Sequence, residues 1–361
     1  MKNVLFISSY CAAYRGNFIP SLECLENTYK EGRCVYVFPE NARQVTWMSS
    51  FLEHHTVYFF PKNFFGKTIS FSVMKKLNYL IKKENIHIIH THFLTYNYSL
   101  FIAKYTFARK VRFITHVHNQ FVIPCTKSAP IKKFVMELTY DTLIGVSESV
   151  SAGLKLQLEH NNITYIDNAI CFSRLDNYEK IFLRDNDNQK VVLMAGWPAL
   201  VKGVDIAVKA ILLLRNEGHD IKLCIMQSGD TEQTRKCVME AIGHYPKWVQ
   251  ILPPREDIAT YYNAADIFLS ASRSEGLSYA IIEASYSSAM VCCSNIQGNS
   301  IEIPNNEIFF VENILACKNA IETILTLSVG DIGMLKEETR KYILDKYDID
   351  TWANKVIEFY S

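Results

Sequence analysis

Residues 267-IFLSASRSEGLSYAIIEASYSSA-289 decide how this chain is read. IFLSA is an apolar run of strand length bounded by polar residues. SRSEGLS is polar and contains a glycine, as a turn does. YAIIEASYSSA then reads as a helix. A strand feeding a helix through a short turn is the repeating unit of an open α/β sheet, where ligands bind beyond the carboxyl ends of the strands. Gly276 lets the backbone come close to a ligand, and the amides of 276–278 with the positive helix end favour a phosphate. Glu275 stands at the mouth of the turn and Glu283 two helical turns on. On spacing alone the plainer reading wins, with Glu275 as a helix cap and Glu283 as surface charge.

The same alternation runs outward in both directions. In the first half VLFIS (4–8), CVYVF (34–38), TVYFF (56–60), IHIIH (86–90), VRFITH (111–116) and TLIGVS (142–147) read as strands. After the polar stretch 173-SRLDNYEKIFLRDNDNQK-190 a second series follows: VVLMAG (191–196), IKLCIM (221–226), WVQIL (248–252), IFLSA (267–271), MVCCS (290–294) and EIFFV (307–311). Amphipathic segments such as 205-DIAVKAILLLRNEG-218 lie between them. Short strands alternating with helices predict parallel sheets covered on both faces, here two α/β halves joined near 170–190. The 361 residues suffice for two cores of ordinary size.

Composition narrows the class. The hydrophobic share of 49% and charged share of 21% are those of a globular chain. No apolar run reaches the roughly 18 residues of a membrane span, and Val4–Ile7 is too short for a secretory leader. The ten cysteines show no C-x-x-C and read as reduced core thiols, which suits the cytoplasm. Residues 1–172 carry 19 Lys+Arg against 11 Asp+Glu, whereas 173–361 carry 19 against 26. The basic half suits an anionic membrane, a nucleic acid or a phosphorylated substrate, or its charges are simply solvated. The run 58-YFFPKNFFGKTISFSVMKKLNYLIKK-83 mixes aromatics with lysines, so it reads either as a lipid-facing helix or as one whose stripe enters the core.

The segment 256-EDIATYYNAADIFLSASRSEGLSYAIIEASYSSAMVCCSNIQGNSIEI-303 resembles the donor-site region of retaining GT-B glycosyltransferases of glycosyltransferase family 4, also called glycosyl transferases group 1. Asp266, Ser272, Glu275, Gly276, Glu283 and Glu302 match the family pattern in order. Further matches are 191-VVLMAGWPALVKGVDIAVKAI-211, 143-LIGVSESVSAGL-154, 164-TYIDNAI-170, 86-IHIIHTH-92 and 113-FITHVHN-119.

The resemblance implies an α/β GT-B fold, two Rossmann-like domains facing across a cleft. Residues 1–170 would bind the acceptor, residues 171–346 the nucleotide-sugar donor, and the helix in 347–361 would pack back on the first domain. It implies sugar transfer from a UDP- or GDP-sugar to a hydroxyl acceptor, a glycan or a lipid-linked one, with retention at the anomeric carbon. The setting would be assembly of a cell-surface polysaccharide or glycolipid. Glu275 would stand near the anomeric carbon, and the amides of Gly276, Leu277 and Ser278 near the diphosphate. Glu283 would hold the ribose, Lys202 would neutralise the leaving diphosphate, His118 would face the sugar, and Gly16 would let the backbone approach the donor. No cofactor, metal or nucleic acid is implied, and the location is the cytoplasm with the inner membrane face as a candidate surface.

Where the family has Gly-Arg, this chain has Gly196-Trp197-Pro198. Arg15, Arg255 or Arg273 are the candidate replacements for the missing phosphate clamp. The other departures are Asn168-Ala169-Ile170-Cys171, Ser288-Ala289-Met290 and a single glycine in 10-YCAAYRGN-17. Three alternatives stand beside the transferase. One is a non-catalytic nucleotide-sugar-binding relative, and another, disfavoured by the motif order, is a sugar-nucleotide epimerase. The third is a barrel-type metal hydrolase using His90, His92, His116 and His118, although one histidine of each pair is expected to point into the core and His118 outward.

Overall fold

Valine, isoleucine, phenylalanine and cysteine dominate the strands, and a strand with no polar face is stable only where both faces are covered. In a computed structural model, which describes residues 2–361 except 67–68, 95, 124–125, 127, 228, 288, 299–302 and 304–306, they do build such sheets. Strands β1 (Asn3–Ser8), β2 (Cys34–Pro39), β3 (Thr56–Phe60), β4 (Ile86–His92), β5 (Arg112–Val117), β6 (Thr142–Gly145) and β7 (Ile163–Tyr165) pair in the order β3-β2-β1-β4-β5-β6-β7, every pair parallel. Strands β8 (Lys190–Ala195), β9 (Ile221–Met226), β10 (Val249–Leu252), β11 (Ile267–Ser270), β12 (Met290–Ser294) and β13 (Glu307–Phe309) form a second parallel sheet, ordered β10-β9-β8-β11-β12-β13. The strand order reverses direction at β1/β4 in the first sheet and at β8/β11 in the second.

The chain divides into two bodies, residues 1–169 with 349–361, and residues 170–348. In the second body Val192 and Met194 of β8 join one apolar cluster while Val191 and Leu193 join the other, so both faces of the sheet are covered. In the first body the helix Ile349–Ile357 packs on the helix Phe18–Thr28 and sends Trp352, Ala353 and Val356 into the core. The 3-10 turn Glu358–Tyr360 ends it, and the Tyr360 hydroxyl is hydrogen-bonded to His90 Nδ1 at 2.6 Å. The helix Phe71–Lys83 buries Val73, Met74, Leu77, Leu80 and Ile81, so its apolar stripe belongs to this core and is not available to lipid. Among the described residues no helix is long and apolar enough to cross a membrane.

One H-x-H pair departs from expectation and the other does not. Residues two apart on a strand point to the same face, and His90 and His92 within β4 are both buried. In the second pair His116 is buried, and His118, beyond the end of β5, is partly exposed as expected. His90 Nε2 is bonded to His116 Nδ1 at 2.9 Å and His92 Nδ1 to His118 Nε2 at 3.1 Å. Thr91 and Thr115, between the histidines, take the opposite face beside Tyr140.

Burial pushes all four of these histidines well down, His116 to about 3, so they are neutral in the folded protein at pH 7. His55 moves the other way. Burial opposes its charge, but hydrogen bonds to Glu23 and Glu26 outweigh it and raise the imidazole to about 9. The signs are opposite. Below about pH 6.5 the unfolded chain takes up protons that the buried cluster refuses, and stability falls. Between about pH 6.5 and 9 the folded protein holds the His55 proton that the unfolded chain has released, so stability falls as pH rises through this range too. Chemical denaturation across pH 5–9.5 is therefore expected to show maximal stability of the first body near about pH 6.5. In His55→Gln the alkaline limb should flatten by ~1–2 kcal/mol.

Candidate active site

Two glycines bring the expected donor residues together. Gly203 opens the helix Val204–Asn216 at φ +69°, and a Cβ there would lie 2.0 Å from the Ala271 carbonyl oxygen. No residue with a side chain fits without moving the backbone. This contact presses the loop after β8 against the turn after β11. Gly298 does the same from the other side, since its Cβ would lie 2.1 Å from the Glu275 carbonyl oxygen.

Between these two contacts Lys202 Nζ donates to Glu275 Oε1 at 2.6 Å, and Ser272 Oγ donates to the same oxygen at 2.7 Å. Ser272 is itself fixed, because Ser294 Oγ donates to its carbonyl at 2.6 Å. The space left among Lys202, Ser272, Glu275 and Ser278 is about 10 Å³, room for about one water. Glu275 is thus not a helix cap. It is the counter-ion of Lys202, at the carboxyl ends of the two strands where the sheet order reverses.

Ser278 precedes the helix Tyr279–Tyr286 as its N-cap, with no capping bond from its side chain. Its amide donates to the Gly298 carbonyl at 3.3 Å, so of the three amides expected around a diphosphate this one is already engaged. Gly276 and Leu277 lie on the same turn, Leu277 with its side chain against the core. Glu283 is not surface charge. It is 8% exposed, accepts from the Tyr262 hydroxyl at 2.9 Å, and meets Arg174 Nη1 at 3.4 Å. Burial and the neighbouring carboxylate keep the Tyr262 phenol protonated, hence a donor. Arg174 and Tyr262 had no motif to mark them; they are partners of Glu283 only through the fold. Asp266 accepts from the Val191 amide at 2.8 Å and ties the starts of β8 and β11. Glu302 and Ser288 lie outside the described residues.

The candidates to replace the missing arginine are all engaged. Arg273 makes a two-pronged pair with Asp205 at 2.9 Å on each prong and bonds Glu312 at 2.9 Å. Arg255 bonds Asp257 at 2.7 Å and Glu179 at 2.9 Å, and Arg15 pairs with Glu23. Each would have to leave a carboxylate to clamp a phosphate. Trp197 stands where the arginine is usual, and its indole lies against Gly229, where a Cβ would meet the ring at 2.4 Å.

In the first body, Gly16 has φ +55° in the loop after β1, and a Cβ there would stand 3.0 Å from the Tyr10 hydroxyl. His118 lines a cavity of about 290 Å³ with Phe93, Tyr96, Gln120, Phe121 and Lys132. His90, His92 and His116 each offer a ring nitrogen within 4.8 Å of the others. Both nitrogens of His90 are spent on Tyr360 and His116, which leaves His92 Nε2 and His116 Nε2 without a partner among the described residues. Both sheets are open and parallel with no closed barrel among the described residues, which overturns the barrel-type hydrolase alternative.

Removing one member of a buried ion pair strands the other. Glu283→Ala is therefore expected to cost the second body ~3 kcal/mol, measured by urea unfolding. Glu283→Gln, which keeps an acceptor for Tyr262, should cost less than Ala.

Residues 178–342 match the family described as glycosyl transferases group 1, and residues 35–174 match glycosyltransferase family 4. The chain is 24% identical over 215 residues to an uncharacterised glycosyltransferase of Haemophilus influenzae, a match that covers 59% of this chain and 58% of that protein. A Rickettsia africae glycosyltransferase structure superposes with a TM-score of 0.79 at 19% identity, over 99% of this chain and 97% of that one. The Anabaena protein HepE, solved with UDP and glucose, superposes with a TM-score of 0.77 at 15% identity, over 100% and 99%. With one family matched in each body and both sheets arranged as in these structures, the chain belongs to the GT-B glycosyltransferases, family 4 in its first half and group 1 in its second.

Proposed function

We propose that the protein is a retaining glycosyltransferase that moves a hexose from a nucleoside-diphosphate sugar, UDP- or GDP-linked, to a hydroxyl of a glycan or lipid-linked acceptor. The observation that carries this reading is the Lys202–Glu275–Ser272 constellation at the carboxyl ends of β8 and β11. A lysine and a carboxylate in contact cancel each other while the site is unliganded. A diphosphate offers Lys202 a second anion with more charge, and its arrival releases Glu275 toward the sugar. Lys202 then stabilises the charge that grows on the leaving diphosphate, where a fixed cation contributes most. The turn amides of Gly276 and Leu277 assist it at the phosphates, and Glu283, held by Tyr262 and Arg174, receives the ribose hydroxyls. Gly16 gives the donor close backbone access. His118, kept neutral by burial, is suited to accept or donate a hydrogen bond to the sugar without adding charge. The leaving diphosphate takes the acceptor proton, so no protein base is required.

The basic balance of residues 1–172 supports work beside anionic lipid in building a cell-surface polysaccharide or glycolipid, from the cytoplasmic side. A second reading, a nucleotide-sugar-binding relative without turnover, is favoured by Trp197 and by the carboxylate partners of Arg15, Arg255 and Arg273.

A thermal-shift series with UDP, GDP and ADP, followed by donor turnover, separates the two. One diphosphate should stabilise the protein, and the shift should vanish in Lys202→Ala. Glu275→Ala removes the competitor for Lys202, so nucleotide binding should hold or tighten while turnover falls ~100-fold or more. Equal losses in binding and turnover would move Glu275 to a binding role. A nucleotide shift with no turnover of any donor would favour the second reading.

A further inference from the structure

The 290 Å³ cavity of the first body has a charge imbalance that the donor chemistry does not use. Phe93 and Tyr96 follow β4, His118, Gln120 and Phe121 follow β5, and Lys132 enters from the helix Ala129–Thr139. Among its described lining residues none is acidic and Lys132 carries the one permanent charge. Lys132 is 7% exposed, yet it forms no ion pair among the described residues, and its ammonium rests 5.8 Å from the Tyr96 ring centre. The adjacent Lys133 shows the contrast, bonded to Glu159 at 2.7 Å. An ammonium at the wall of a cavity whose described lining holds no acid has no fixed counter-ion there, and a ligand that brings a carboxylate gains a charge-assisted pair with it.

We propose that this cavity binds a sugar acid, a pyranose bearing one carboxylate, with Lys132 as the counter-ion. Phe93, Tyr96 and Phe121 supply apolar surface for the C–H faces of the ring, and the volume suits a single ring better than a drug-sized molecule. One ammonium balances one carboxylate. A phosphate carries nearly two charges and is served best by arginine forks, and no arginine is among the described lining residues. The proposal rests on the glycosyltransferase reading only in naming this sugar the acceptor.

The test is ligand-detected NMR on the full chain with methyl β-glucuronide, methyl β-glucoside and glucose 6-phosphate. The glucuronide is expected to bind ~10-fold or more tighter than the glucoside, the gain of a charge-assisted hydrogen bond. Lys132→Met and Lys132→Gln should both abolish that preference, with unfolding temperatures close to that of the unaltered protein because Lys132 makes no ion pair among the described residues. No preference for the glucuronide, its persistence in both variants, or tighter binding of glucose 6-phosphate overturns the proposal. The two readings fail separately. Loss of the nucleotide shift with the glucuronide preference intact sinks the transferase and spares the anionic cavity, and the converse spares only the transferase.

Discussion

Everything functional in this protein depends on one constraint, that a parallel strand must be buried on both faces. Most connections therefore leave the sheet at a strand's carboxyl end and return through a helix on one face or the other. Where the strand order reverses, neighbouring connections depart to opposite faces and their turns are left side by side. In the second body this happens between β8 and β11, which is why Lys202 and Glu275, 73 positions apart, end at 2.6 Å. In the first body it happens between β1 and β4, the strands that precede the Gly16 loop and carry His92.

The two lysines at the ends of these sheets are in opposite electrostatic situations. Lys202 is paired with the Glu275 carboxylate, which in the proposed reaction a diphosphate would displace. Lys132 has no carboxylate partner among the described residues. Charge density follows the same division: paired sites stay stable without ligand, while an unpaired one is stabilised by binding. The substitution at Trp197 fits this frame. With Trp197 in place of the usual arginine, Lys202, Arg255 and Arg273 are all in salt bridges with carboxylates.

Much of this was legible in the chain itself. Apolar runs at strand length marked twelve of the strands to within a residue or two, because burial on both faces demands continuous hydrophobicity. The short strand β7, with Tyr165 exposed, lacked that signal. The turn around Glu275 and Gly276 was legible because strand, glycine and helix each have local signatures. What failed was inference about partners. The arginines looked available because their carboxylates, Asp205 for Arg273 and Asp257 with Glu179 for Arg255, sit on other segments. The 90/92 pair was misread by expecting one histidine to turn away from the core, because both lie within β4 on one face; in the 116/118 pair His118 lies past the strand end and is partly exposed as expected.

By itself the sequence determined the two parallel α/β bodies, the family, and the positions of the turns that carry the donor residues. These follow from periodicity and backbone chemistry, which act between near neighbours. Only the tertiary structure decided the charge partners of those residues. It paired Lys202 with Glu275, buried Glu283 against Tyr262 and Arg174, bonded the histidines to one another and left Lys132 without an ion pair among the described residues. Electrostatic pairing depends on distances of a few ångströms between residues tens of positions apart, and local pattern carries no information about them.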